Sequence, residues 1–267
     1  VTLQREEQPA TQSSRRAIGA LSIMVAALAA GAAQSAPLDA AGFHPGMSLA
    51  EVVARMKAVS PALEIKIANT GIPELSPRPV PWMIAGVTAE IPGRHPTIER
   101  ITAIVTMPPT PPVLWGLARS LHFADGQQPL MTDMAGALRA KYGRESMSYG
   151  IRQIYWGWDE KGAPMSANQM RQCAQYVGMS HMTGVTDTIY RPNMVSAQQQ
   201  ACQKGKFIEA TLIPSRNPDV ASDMEVAFTD MAIETTAMAQ TRAARTGAQN
   251  SAAAAQVQRA KQNRPGL

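Results

Sequence analysis

The side chains with the widest chemical reach sit in the run GMSHMTG, where Met179, His181 and Met182 offer two thioethers and an imidazole. Such a set suits Cu(I), a soft ion that thioether and imidazole ligands select, and it defines a candidate metal site. Methionine is also ordinary core filler, and the chain holds 16 of them along its length. The other histidines, His44, His95 and His122, lie far apart, with no HExxH or paired-ligand spacing. There is no GxSxG elbow and no glycine-rich phosphate loop. Asp159 and Glu160 are adjacent acids; on a strand they would point to opposite faces, so they read as a solvated turn. No catalytic residue is assigned and no cofactor is expected.

Two cysteines, Cys173 and Cys202, complete the chemical inventory. Their reading depends on compartment, because disulfides persist only in oxidising spaces. Arg15 and Arg16 form a positive region ahead of the uncharged run from Ala17 to Ala33, followed by small residues at Ala30, Ala32, Ala33 and Ser35. That is the layout of a cleavable secretory leader, here residues 1–36, and the run falls short of the ~20 strongly apolar residues of a membrane span. Ser14-Arg15-Arg16 also partly matches the twin-arginine export pattern, so two export routes stay open. The mature chain is expected to be periplasmic or secreted, with Cys173 and Cys202 joined as one disulfide.

Charge is unevenly spread. From Ala36 to Glu234 there are 17 basic and 18 acidic residues, whereas Thr235 to Leu267 holds Arg242, Arg245, Arg259, Lys261 and Arg264 and no acid. A neutral body argues against a nucleic-acid partner. The basic tail could instead rest on an anionic membrane surface, each basic group there contributing ~1 kcal/mol. A second contact candidate is Tyr155 in QIYWGW: Ile154, Trp156 and Trp158 share one strand face and read as core, which leaves Tyr155 on the other.

These residues need a scaffold to hold them. GMSLAEVVARM carries a capping box, Ser48 with Glu51, and a Met47–Val52 hydrophobic staple at the start of a helix. Alternation in LEIKI, IERITAIVTM and VLWGLARSLHF predicts strands. The last of these places Val113, Trp115, Leu117, Leu121 and Phe123 on one face, interrupted by Arg119, and PPTPP forms a rigid connection. A second helix over TDMAGALRAKYG is capped by Thr132 or Asp133 and stopped by Gly143. QIYWGW, KFIEATLI and MEVAFTD supply further strands. A long polar stretch, Ala163 to Gln203, holds both cysteines, and an Ala/Gln-rich tail after Glu234 is expected to fray for want of large side chains.

The fold class is therefore α+β: antiparallel sheet with capped helices on one face, arranged as two similar helix-then-strands units and a C-terminal helical tail. The boundaries are a leader over 1–36, units over 37–127 and 128–234, and a basic tail over 235–267. ALRAKYG, then YWGWDEKG, two later cysteines and a last strand ending at Asp230 before a helix are similar to uncharacterised exported proteins of Gram-negative bacteria. The paired units resemble the SmpA/OmlA modules and the β-lactamase-inhibitor-like fold. That resemblance implies a fold and an envelope setting and assigns no catalytic residue. The chain lacks the lipid-bearing cysteine of the lipoproteins. The functional expectation is a non-catalytic binding or assembly module with an envelope protein, glycan or lipid as partner. The alternatives are an envelope-acting hydrolase or transferase and a periplasmic copper-binding protein.

Overall fold

A computed structural model describes residues 38–88, 96–174, 177 and 202–263. Its elements follow the chain as α1 (Leu49–Val59), β1 (Glu64–Thr70), β2 (Val80–Val87), β3 (Ile98–Val105) and β4 (Leu114–His122). Then come α2 (Met131–Tyr142), β5 (Met147–Tyr149), β6 (Gln153–Trp158), α3 (Ala167–Cys173), β7 (Lys206–Pro214), β8 (Ala221–Asp230) and α4 (Met231–Gln262). Eight strands form one antiparallel sheet in the order β1-β2-β3-β4-β8-β7-β6-β5. Each half is a helix followed by four strands, and the last strand of each half pairs with the other at the middle. The two helix-and-strand units thus share a single sheet.

Local chemistry sets the helix ends. Ser48 N–H donates to Glu51 Oε2 at 2.7 Å while Glu51 N–H donates to Ser48 Oγ at 3.3 Å, so α1 starts at the predicted capping box. Met47 and Val52, the staple pair, are both buried. Gly143, at φ +82°, ends α2 in a backbone conformation that glycine tolerates. The start of α2 departs from the sequence reading: neither Thr132 nor Asp133 caps it, and the cap residue is Leu130. Leu130 bridges Val220, and Met131 N–H donates to Asp219 O at 2.9 Å, so the turn between β7 and β8 fixes this end. α3 lies inside the long polar stretch, to which the sequence reading assigns no element; its signal is a second capping box, Ser166 with Gln169. Asp230 closes β8 and caps α4, accepting from the N–H groups of Ala232 and Ile233.

One sheet face packs on α1 and α2. Val52 and Met56 of α1 and Ala135, Leu138 and Tyr142 of α2 meet Ile84, Ile101, Leu117, Phe228, Ile208, Ile154, Trp156 and Trp158. Arg119, the one charge on the apolar face of β4, is answered there by Glu99 at 2.6 Å. The opposite face carries two smaller clusters. Under α4 lie Ile104, Trp115, Ala118 and Ala227 with Met238; beside α3 lie Tyr155, Phe207, Met147 and Met165 with Met170, Cys173 and Cys202. Trp115 therefore does not share a face with Leu117. The β3–β4 register steps from Ile104↔Gly116 to Val105↔Leu114, and this bulge at Trp115 turns the indole to the α4 side.

The basic tail departs from expectation as well. Residues 231–262 are one helix whose first part is docked, with Met231, Ala237, Met238 and Thr241 buried. Thr241 Oγ1 donates to Pro108 O at 2.8 Å, and Thr110 Oγ1 to Gln240 Oε1 at 2.7 Å, so the PPTPP connection seats the helix. Only residues 249–263 are exposed throughout.

Cys173 and Cys202 form a disulfide with their Cα atoms 5.5 Å apart, joining the end of α3 to the turn before β7. Closure of a 29-residue separation corresponds to ~3–4 kcal/mol on the loop-entropy model. The variant carrying Cys173→Ser and Cys202→Ser is expected to lose about that much in a urea titration, with the slope also rising if the reduced chain unfolds to a more open state.

Candidate functional site

On the face away from α1 and α2, the sheet leaves a belt of polar side chains in register. Tyr149 stands opposite Gln153, Gln153 opposite Thr211, Thr211 opposite Glu225 and Glu225 opposite Ser120, crossing β5, β6, β7, β8 and β4. One row inward, Tyr155 faces Glu209; one row outward, Ile213 faces Asp223 and Asp223 faces His122. The alternation that sends Ile208, Ala210 and Leu212 into the helix-covered core puts Glu209 and Thr211 on this side.

Glu209 is the centre of the belt. Its Oε1 accepts from Gln153 Nε2 at 2.7 Å, Tyr155 Oη at 3.2 Å and Thr211 Oγ1 at 3.4 Å. Ser120 Oγ donates to Glu225 Oε2 at 3.2 Å. Among the described residues no cation pairs with Glu209 or Glu225. Burial pushes the Glu209 carboxyl above the ordinary carboxylate range, against the pull of its Gln153 and Tyr155 donors, and the charge of Glu225 adds to the rise. Burial also pushes the Tyr155 phenol up, with the charge of Glu209 second. At the outer end, His122 Nδ1 lies 2.8 Å from Asp223 Oδ1, and Ser222 Oγ donates to Asp223 Oδ2 at 2.7 Å.

Tyr149 is the exposed aromatic of the belt. It is 57% exposed, on the short edge strand β5, and its ring stands edge-on to Tyr155 with centroids 6.2 Å apart. Tyr155 itself is 5% exposed. The expectation of Tyr155 as a surface contact is thereby corrected: α3 and the disulfide cover that part of the face, and Tyr155 supports its neighbours. Sequence reasoning missed Tyr149, Gln153, Glu209, Thr211 and Glu225. The signal was present as polar residues at alternate strand positions, but their union depends on cross-strand register.

A separate cleft of about 740 Å³ lies beside the first turns of α4, lined among others by Lys204, Lys206, Glu160, Asp230, Thr235 and Gln240. Its charges meet in pairs, Lys204 with Glu160 at 2.8 Å and Lys206 with Asp230 at 3.7 Å.

The remaining predicted residues fall as follows. Met179, His181 and Met182 lie outside the described residues, as does the leader. Among the described residues no group of three or more His, Cys, Asp and Glu side chains could hold a metal. Asp159 forms the expected turn, its Oδ1 accepting from the N–H groups of Lys161 and Ala163. The tail does not present its basic residues as one charged surface. Arg242 is half-buried, and Arg245 pairs with Glu74 at 3.1 Å, with Gln249 donating to the same carboxylate oxygen at 3.0 Å. Arg259 and Lys261 are exposed on the far turns, and Arg264 lies outside the described residues. Among the described residues no helix is long and apolar enough to cross a membrane. Comparison with known proteins finds no matching family model, no similar curated protein and no similar solved structure.

Two pH predictions follow from opposite shifts. The Glu74 carboxyl is held down at about 2 by hydrogen bonds from Arg245 first, then from its own backbone N–H and from Gln249. Its contribution is complete above the usual carboxylate value of 4.5 and is lost as pH falls through about 2. Glu74→Gln should therefore be less stable than the native chain above pH 4.5 and equal to it near pH 2, in urea titrations across that range. Glu209 has the reverse sign: its raised folded pKa means stability declines as pH rises past the unfolded value. Glu209→Gln is expected to be at least as stable as the native chain at pH 7, with the advantage shrinking toward pH 4 in the same assay.

Proposed function

We propose that this chain is an exported, non-catalytic binding module of the cell envelope whose partner docks on the polar belt beside Tyr149. The observation that carries this reading is an exposed tyrosine next to an amide, two hydroxyls and two carboxylates with no cation paired to them among the described residues, on a sheet face braced from behind by α1 and α2. Tyrosine supplies large contact area at low cost in rotamer entropy, and anchors of this kind dominate binding energy at protein surfaces. A broad belt suits a macromolecular partner better than a small molecule, which favours a concave pocket. The carboxylates favour a partner rich in hydrogen-bond donors or positive charge. An oxidising compartment is favoured by the disulfide and by the leader-like start. Replacement of Glu209 by an uncharged isostere should relieve the fold, which is the behaviour of residues kept for function rather than stability.

A second reading, an envelope hydrolase or transferase, is favoured by one observation: the burial-raised carboxyl of Glu209 close to Glu225 could act as an acid beside a base. Against it, Glu209 Oε1 is already engaged by three side chains of the fold.

A photo-crosslinking residue at position 149 should yield a discrete adduct in the native host, whereas one at position 57, exposed on α1, should yield none. Adding Glu209→Lys should weaken capture about ten-fold, as expected of a contact near the centre of an interface. Equal adducts at both positions, or none at 149, would remove the binding-face reading.

A further inference from the structure

The sheet is open, and its two edges are unlike. β5 is three residues long, too short to recruit another strand, whereas β1 is seven residues long and among the described residues pairs only with β2. An edge of that length presents a row of unused backbone donors and acceptors, a ready template for pairing. Its side chains are strictly sorted. Ile65 lies opposite Gly86 and Ile67 opposite Ile84 on the helix-covered side, while Glu64 and Lys66 project from the other side. Ile67 is 43% exposed, on an otherwise buried face. Glu64 and Lys66 pair with each other at 2.9 Å, with side chains 72% and 76% exposed.

We propose that β1 pairs antiparallel with β1 of a second copy of this chain, about a two-fold axis through Ile65, so that the two sheets become continuous. The pattern selects that register. With the axis at Ile65, each Glu64 stands opposite Lys66 of the second copy, giving two opposite-charge cross-strand pairs on one face. On the other face Ile65 meets Ile65 of the second copy, and each Ile67 meets Leu63 of the second copy, covering the exposed isoleucine. Directly opposed pairs of both kinds stabilise antiparallel sheets. Moving the axis to Ile67 sets Ile65 against Asn69 and leaves all four charges without cross-strand partners. Lysine on an edge normally discourages pairing with strangers; here its charge is answered in one self-complementary arrangement, as a two-fold contact requires. Pairing through one short strand buries little area, so the dimer is weak and concentration-dependent.

Light scattering after size exclusion, with sedimentation equilibrium up to ~100 µM, tests it on the full disulfide-bonded chain, a range suited to small interfaces. The native chain should shift from monomer to dimer across the range. Lys66→Glu, which sets like charges face to face twice, should weaken the dimer about ten-fold or more. The double variant Glu64→Lys with Lys66→Glu, which restores opposite pairs in the same register, should recover it to within about three-fold of the native chain. Both positions are highly exposed, and circular dichroism confirms that each variant is folded. A native chain that stays monomeric, or single and double variants that behave alike, would overturn the proposal.

Discussion

The pairing of β4 with β8 is the contact on which the molecule depends. Each half could form a four-stranded layer under its own helix, yet each would end in a long open strand. Joining Gly116–His122 to Asp223–Thr229 in antiparallel register removes both edges at once and makes one sheet of two layers. The middle of the junction is apolar on both sides. Leu117 and Phe228 meet on the α1/α2 side and Ala118 and Ala227 on the α4 side, all essentially inaccessible. The second pair is small, and that is why α4 can lie close: a helix crossing a sheet approaches most nearly where the side chains beneath it are short. Met238 of α4 fills the space against Trp115 and Ile104.

The junction also divides the two faces by role. The α1/α2 side is one apolar core, and Arg119 on that face is paired with Glu99. Among the described residues the other side carries two apolar clusters, under α4 and beside α3, and a belt of polar side chains across the strands. A one-sided antiparallel sheet ordinarily alternates apolar and polar along each strand, and β7 does so here. The unusual feature is that Glu209 is not fully solvated and, among the described residues, has no ion-pair partner. It is held by neutral donors at the margin of an apolar cluster, with Glu225 nearby on β8. A fold shaped for stability alone would place an apolar or charge-neutral side chain there.

The long-range ties explain why α4 is part of the body rather than an appendage. Its Asp230 cap is fixed at the end of a central strand, Thr235 Oγ1 donates to Gln203 O beside the disulfide, and Thr241 reaches the PPTPP connection. Arg245 then closes on Glu74 from the loop between β1 and β2. Past this point the side chains are mostly Ala and Gln, and the helix offers nothing large enough to dock.

What the sequence by itself determined was everything that depends on near neighbours. Ser48 with Glu51, Gly143 and Asp230 mark helix ends through atoms two or three residues away, and the alternation of Ile154, Trp156 and Trp158 marks a buried strand face through the two-residue period of the chain. Two cysteines alone leave a single intramolecular pairing, and the pattern of a helix followed by strands, repeated, could be read directly. Tertiary structure alone decided which second faces are covered. Tyr155 is buried because α3 arrives there, Trp115 turns over because β4 bulges, and Leu130 starts α2 because a turn some ninety residues later supplies its backbone partner, roughly the reach that local propensity cannot see. Glu74 meets Arg245 across 171 residues, and Glu209 meets Gln153 only when β6 and β7 adopt their register. Periodicity tells which side chains share a face, but the occupant of that face comes from distant chain, and the polar belt is made by that choice.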